Sequence, residues 1–373
     1  MSTATKIAAP ELRLASLDDY DRIAQLEAAN QLGSMPRDDW RNLWLNNPLW
    51  PRLGKQWPVG WLLEDAGGRL VGSIVNIPTR YTFRGRELIC ANGRGWVVAP
   101  EFRGFALWVM SEYFNQPGAD LFINTTVAPI AEPKIGALSD RVPLGDFETI
   151  AYWVTGYRGF AKKALQKLRV PAAGLFAFPA AAALWLQDAL RARPLPAAPP
   201  WIVIDSADVF DGRFDAFWNE LAGQNPDKLL GVRDSRSLAW HFAGQQRAGR
   251  LWILTAARGG LLRAYAIFKR QDRGDGVRRM QLVDYQTLEP DEDLLPGLLH
   301  AALRRCASEN LYVLEQVGCG LPKLASFDGY APYRRKLPCW PFYYRAADPA
   351  IQALLANPEA WDPSTFDGDA SFD

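Results

Sequence analysis

The sequence predicts an α+β protein whose plan is used twice. Three observations carry that reading. Strand-like and helix-like segments follow one another without the strict alternation of a parallel sheet. A Pro/Ala stretch at 194–200 then interrupts the chain with little to bury. After it much of the first order recurs: Trp61 lies 39 positions before Pro100, and Trp252 lies 38 before Pro290. Length points the same way, since 373 residues exceed what one core usually holds. Two domains are expected, at 1–193 and 201–373.

In the first unit, 12–17 reads as a strand. A helix follows at 18–31, with acidic residues opening it and Tyr20, Ile23 and Leu26 at helical spacing. The helix 38–46 carries Trp40, Leu43 and Trp44, a spacing that points to core rather than to a ligand platform. Strands at 60–65, 69–83 and 87–99 are joined by turns at Ala66-Gly67-Gly68 and Arg84-Gly85-Arg86. A helix at 102–115, a strand at 120–125, a helix at 127–138 and a strand at 149–154 complete the unit. After the linker come a strand at 201–205, a helix at 212–222 and a Trp-bearing helix at 235–242. Strands at 251–256, 261–270 and 278–288, a helix at 291–309 and a strand at 311–316 finish the recurrence.

Charge and composition exclude several functions. Lys+Arg 42 against Asp+Glu 41 leave no bulk positive field for nucleic acid, so no nucleic-acid partner is expected. Cys90, Cys306, Cys319 and Cys339 lie far apart, and with only His241 and His300 beside them they suggest neither a metal site nor a disulfide framework. The N-terminus lacks an apolar signal core, so a cytoplasmic protein is expected. Residues 170–186 carry no charge, but the run is short for a membrane span and holds Pro171 and Pro179. It reads as a buried or interdomain helix, with contact at a membrane surface as the alternative.

The segment that points to chemistry is 95–107. A strand ending Val98-Ala99-Pro100 runs into a helix through Arg103-Gly104. Such a junction leaves backbone N–H groups unpaired at the positive end of a helix dipole, a ready site for a pyrophosphate. The junction and the β-α-α-β-β-β-α-β-α-β order together resemble the GNAT superfamily of N-acyltransferases. There a Val-x-Pro strand end precedes an Arg/Gln-x-x-Gly-x-Gly/Ala loop; here Ala106 and Trp108 depart from the usual small residues. The resemblance implies two GNAT-like domains, each a mixed, mostly antiparallel sheet flanked by helices. Acetyl-CoA or another acyl-CoA would be the co-substrate and a small-molecule amine the acceptor. The second copy has Pro290-Asp291-Glu292-Asp293 at the junction, a carboxylate run that repels pyrophosphate, so the co-substrate is expected in the first half.

The resemblance also distributes roles. Trp96, Val97 and Val98 would pair with the pantetheine arm, and the amides of Arg103, Gly104, Phe105 and Ala106 would hold the pyrophosphate. Asn124, at a strand end, would contact pantetheine or the next helix. Where the family's Tyr protonates the departing thiolate, this chain has Glu132, followed by the fitting Lys134 and Gly136. Glu64 is a candidate base for the amine. Alternation puts Asn92 and Arg94 on one strand face, where they are candidates for the acceptor, with an internal ion pair as the other reading of Arg94. Asp284 and Glu315 sit in apolar strands and need a partner within the core or a ligand.

Two short motifs extend the resemblance: Arg233-Asp234 with Leu238 and Trp240, and Trp361-Asp362-Pro363-Ser364 with Asp367-Gly368-Asp369. They are similar to features of tandem-GNAT proteins of bacterial surface-polysaccharide and secondary-metabolite functions. Fem-type aminoacyl-tRNA-dependent transferases share the two-domain plan, and the near-neutral charge counts against them. A non-catalytic protein that keeps the fold is the third class.

Overall fold

The computed structural model describes residues 8–33, 35–145, 147–191, 195–272, 274–288, 294–319, 321–337 and 340–372. The acidic junction Pro290-Asp291-Glu292-Asp293 and Cys339 lie outside them.

The first part of the chain opens with β1 (Glu11–Leu14) and α1 (Tyr20–Ala29). Between them Ser16 and Asp19 cap each other's backbone N–H groups over one 3-10 turn. α2 (Arg37–Leu45) and α3 (Trp50–Leu53) follow, then the long meander β2 (Gly60–Glu64), β3 (Leu70–Phe83) and β4 (Arg86–Val98). α4 (Ala106–Phe114), β5 (Leu121–Asn124), α5 (Glu132–Ile135), β6 (Asp140–Arg141) and β7 (Thr149–Val154) come next, and then a hairpin of α6 (Tyr157–Lys167) and α7 (Ala173–Arg191). The helix expected at 127–138 shrinks to the four residues of α5. Pro129 and Pro133 explain this, because neither can donate to the preceding turn.

The second part holds β8 (Ile202–Ala207), α8 (Gly212–Gln224), β9 (Leu230–Gly231), α9 (Ser235–His241) and α10 (Ala243–Arg247). The meander β10 (Leu251–Arg258), β11 (Leu261–Arg270) and β12 (Arg279–Thr287) repeats the first one. α11 (Leu294–Ser308), β13 (Val313–Val317), α12 (Leu321–Asp328) and β14 (Tyr333–Lys336) precede β15 (Tyr343–Ala346) and α13 (Pro349–Leu355).

Two sheets result, ordered β1-β2-β3-β4-β5-β15-β6 and β14-β7-β13-β12-β11-β10-β8, with β9 pairing β3. Among the described residues each contains one parallel pair, β4 with β5 and β12 with β13, in an otherwise antiparallel sheet. The two sheets exchange strands. β15 returns from the end of the chain to lie between β5 and β6, while β7 leaves the first part to lie between β13 and β14. The 194–200 linker therefore divides the sequence but not the sheets. β15 belongs with the first sheet because Tyr343 and Tyr344 bury their rings there.

Trp40 and Trp44 are core residues, packed edge to face, and Trp44 donates to the Asn76 carbonyl at 2.9 Å. α7 departs from expectation. Its buried residues are Ala173, Ala177, Ala181 and Asp188, and most of its large apolar side chains face outward. The charge-free run is a surface helix, because only its small-residue stripe is covered.

Candidate functional site

The site begins where two strands part. β4 runs beside β5 only from Cys90 to Asn92, paired with Leu121 to Ile123. β5 ends at Asn124, and Thr126 takes φ 58°, a left-handed value costly for a β-branched residue. Opposite β3, the register slips so that Gly95 and Trp96 face Ile74 alone. This β-bulge uses Gly95 at φ 65°, which glycine adopts without a steric penalty. The β4 edge from Gly93 to Val98 that faces β5 thus has no strand beside it among the described residues. An extended ligand can pair with such an edge.

Asn124 sits in the fork. A Cβ added at Gly93 would come within 2.4 Å of its Oδ1, so Gly93 is needed for the two strands to approach there. The Asn124 amide faces the Tyr113 hydroxyl at 3.4 Å, and that hydroxyl donates to the Ala91 carbonyl at 2.7 Å. Trp96 is half-buried, while Val97 and Val98 are buried in the core below.

The loop beyond β4 differs in one respect from expectation. Pro100–Phe105 forms a 3-10 helix and α4 starts only at Ala106, whose amide donates back to the Arg103 carbonyl. Arg103 and Gly104 are exposed, Phe105 is half-buried, and an added Cβ at Gly104 would meet nothing within 4 Å. The Lys134 ammonium donates to the Arg103 carbonyl at 3.4 Å, which brings a second cation to this loop. The Ala106 amide is therefore spent within the turn, and the positive character comes from Arg103, Lys134 and the start of α4.

Glu132 is half-buried at the start of α5, and its Oε2 accepts from the Tyr343 hydroxyl at 3.4 Å. Tyr343 pairs across the sheet with Asn124. Burial, with the nearby Glu132 carboxylate, raises its pKa above the ordinary phenol value. No sequence signal points to Tyr343, because β15 reaches the first sheet by strand exchange.

Two candidates are corrected. Glu64 accepts from Arg13 at 2.9 Å and from Arg22 at 2.7 Å, and the Arg13 hydrogen bond leads in lowering its pKa. A carboxylate so held is a weak base, so Glu64 is a structural anion at the end of β2. Arg94 is buried and faces Glu27 of α1 at 3.5 Å. That is the internal ion pair, and it makes Arg94 part of the core.

Asn92 instead reaches a cavity between the two halves of the chain. The cavity is small, about 30 Å³, and opens to solvent; its wall includes Asn92, Tyr81, Arg80, Trp240, His241 and Asp367. Asn92 donates to the Asp367 carbonyl at 3.0 Å, and its Oδ1 is buried with no hydrogen-bond partner among the described residues. His241 stacks on the rings of Phe366 and Phe372 and lies 2.7 Å from the Ser371 hydroxyl. Burial, then the charge of Lys269, pushes its pKa well below the ordinary value, so the imidazole is neutral.

Beneath this wall the two short motifs meet. Arg233 is fully buried and donates to Asp284 at 2.8 Å and to Asp367 at 3.0 Å. Tyr81 donates to Asp367 at 3.1 Å, and Ser364 donates to Asp284 at 2.7 Å. Burial raises the pKa of Asp367 against the attraction of Arg233, whereas at Asp284 the attraction of Arg233 and its other partners outweighs burial and lowers it. One guanidinium thus faces two carboxylates. Asp284 and Glu315 find protein partners, Arg233 and Arg335, as residues in apolar strands must. The tail continues to Asp369, which accepts from Thr125 at 2.6 Å and ties itself to the end of β5.

The fold is GNAT-like. A GCN5-related N-acetyltransferase from Anabaena variabilis matches with a TM-score of 0.55 at 10% identity, over 91% of this chain and 73% of that one. A probable N-acyltransferase from Enterococcus faecalis matches at 0.53 and 12%, over 91% and 73%. Saccharomyces cerevisiae N-myristoyltransferase, solved with bound myristoyl-CoA and inhibitors, matches at 0.56 and 12%, over 93% and 83%. No protein-family model matches the sequence, and no curated protein matches it.

Proposed function

We propose that this protein is an acyl-CoA-dependent N-acyltransferase acting on a small-molecule amine in the cytoplasm. The observation that carries the reading is the parting of β4 and β5 above a bulge, in a fold shared with acyltransferases. The pantetheine arm lies along the free β4 edge at Trp96, Val97 and Val98, with Asn124 in the fork. The pyrophosphate sits at the loop of Arg103, Gly104 and Phe105, supported by Lys134. The acceptor enters the cavity between the halves, where the unpaired Asn92 Oδ1 can accept a hydrogen bond from its amine.

In the reaction the amine gives up a proton and its nitrogen attacks the thioester carbonyl. The C–S bond then breaks, and the CoA thiolate takes a proton. The amine's proton leaves to water at the open mouth of the cavity, because the Asp367 carboxylate is already held by Arg233 at 3.0 Å and Tyr81 at 3.1 Å. Tyr343, protonated at neutral pH, suits donation to the thiolate, and the phenolate then regains its proton from water.

Two substitutions test this division. Tyr343→Phe is expected to lower kcat about 100-fold, the scale of a lost general acid, while CoA affinity stays nearly unchanged. Glu132→Gln should lower it less. A thiol-release assay with acetyl-CoA and longer acyl-CoAs, against a panel of amines, reads both. Full turnover in Tyr343→Phe would remove it from the reaction. CoA binding without turnover for any acyl-CoA and amine would favour the binding-protein reading, which the departures at Ala106 and Glu132 support.

A further inference from the structure

We infer that the α6–α7 hairpin docks this protein onto the surface of a bilayer containing anionic lipid. The exposed side chains make the first half of the case. Leu168, Leu175, Phe178 and Leu190 are 73–80% exposed, and Phe176, Trp185 and Leu186 are 54–58% exposed. A contiguous stretch that leaves so much large apolar surface in water marks an interaction face.

Charge selects the partner. From residue 157 to 187 the chain holds Arg158, Lys162, Lys163, Lys167 and Arg169 and no Asp or Glu. Lys167 and Arg169 flank the exposed Leu168 at the tip of the hairpin, where cations and apolar groups are adjacent. An apolar face bordered by cations, with Trp and Phe among its residues, suits the boundary between headgroups and acyl chains. The whole chain is close to charge balance, so the cationic excess is local.

The hairpin's own contacts favour lying on the bilayer over crossing it. α7 is long and apolar enough to cross, by length and composition. Yet its Ala173, Ala177 and Ala181 stripe is covered, with α6 packed along the helix. Near its far end Asp188 accepts from Tyr157 at 2.8 Å and from Tyr333, a residue of the second sheet's edge strand. A crossing helix would have to leave these partners, whereas a docked one keeps them and buries only its outer face.

The test is vesicle co-sedimentation of the full chain, with neutral phosphatidylcholine and with phosphatidylcholine containing phosphatidylglycerol. Wild type should bind the anionic vesicles at least about tenfold more tightly than the neutral ones, and added salt should reduce the difference. Leu175→Glu/Phe178→Glu should lose vesicle binding. Lys162→Glu/Lys167→Glu should lose the anionic preference. All four sites are exposed, so circular dichroism and melting should be unchanged and separate a docking defect from misfolding. Absence of wild-type binding would overturn the inference, as would unchanged binding by Leu175→Glu/Phe178→Glu. Analytical ultracentrifugation covers the protein-partner alternative: a wild-type oligomer that Leu175→Glu/Phe178→Glu converts to monomer without vesicles would assign the face to a second copy instead.

Discussion

Arg233→Ala is expected to destabilise the protein by about 3–5 kcal/mol, the usual cost of removing one partner from a buried ionic cluster. Arg233 is 1% exposed and is held by Asp284, Asp367 and the Gly231 carbonyl, with its guanidinium over the Phe366 ring at 4.4 Å. Without it two buried carboxylates face each other with no guanidinium between them. Their pKa values then rise above those of the unfolded chain. A group raised in this way contributes stability below its unfolded pKa and loses it as pH climbs through the folded value. The variant should therefore weaken from about pH 5 to about pH 8 more steeply than wild type, in which Asp284 is held below its ordinary pKa. Denaturant titrations at both pH values check the size and the slope. A loss under about 1 kcal/mol, the range of an exposed pair, or an unchanged slope would show that the cluster does not bear on folding as described.

The second large effect concerns the exchanged strands. A fragment of residues 1–193 lacks β15, which lies between β5 and β6, and a fragment of 195–373 lacks β7, which lies between β13 and β14. Each fragment leaves interior strand edges open, a template for aggregation. Trp240 also donates to the Asn42 carbonyl at 2.9 Å across the two parts, and Arg80 pairs with Asp234. Expressed separately, the fragments should aggregate; expressed together, they should form a one-to-one complex that melts as a unit. Size-exclusion chromatography and melting of each preparation decide it. A monomeric 1–193 fragment with a sharp melting transition would mean that the exchange is dispensable.

Much of the architecture can be read locally. The meanders at 60–98 and 251–287 show alternating apolar residues and glycine turns, and their strands fall close to the expected places. The parting of β4 and β5 follows from the Val98-Ala99-Pro100 break and the short β5. Pairing between distant segments is less legible. β15 has only a short Phe342-Tyr343-Tyr344 run to announce it, and nothing local says which sheet it joins. Glu64 reads as a free strand-end carboxylate because Arg13 and Arg22 lie 51 and 42 positions away. The Ala-rich segment of α7 misleads for a different reason: an apolar run specifies that a surface must be covered, but not by protein. The two short motifs stand apart in sequence, and only the fold brings Arg233 to Asp367.

The most direct test of an acyl-CoA site is calorimetric titration of CoA into wild type and into Arg103→Glu. Arg103 is exposed, so the substitution should leave the melting temperature unchanged. Placing a carboxylate beside the pyrophosphate replaces a charge-assisted contact with a repulsion, and the loss of such a contact is worth about 1.5–3 kcal/mol. Wild type should bind CoA in a one-to-one complex, and the variant should bind at least about tenfold more weakly. No binding by wild type, or equal binding by the two proteins, would contradict an acyl-CoA site at the end of β4.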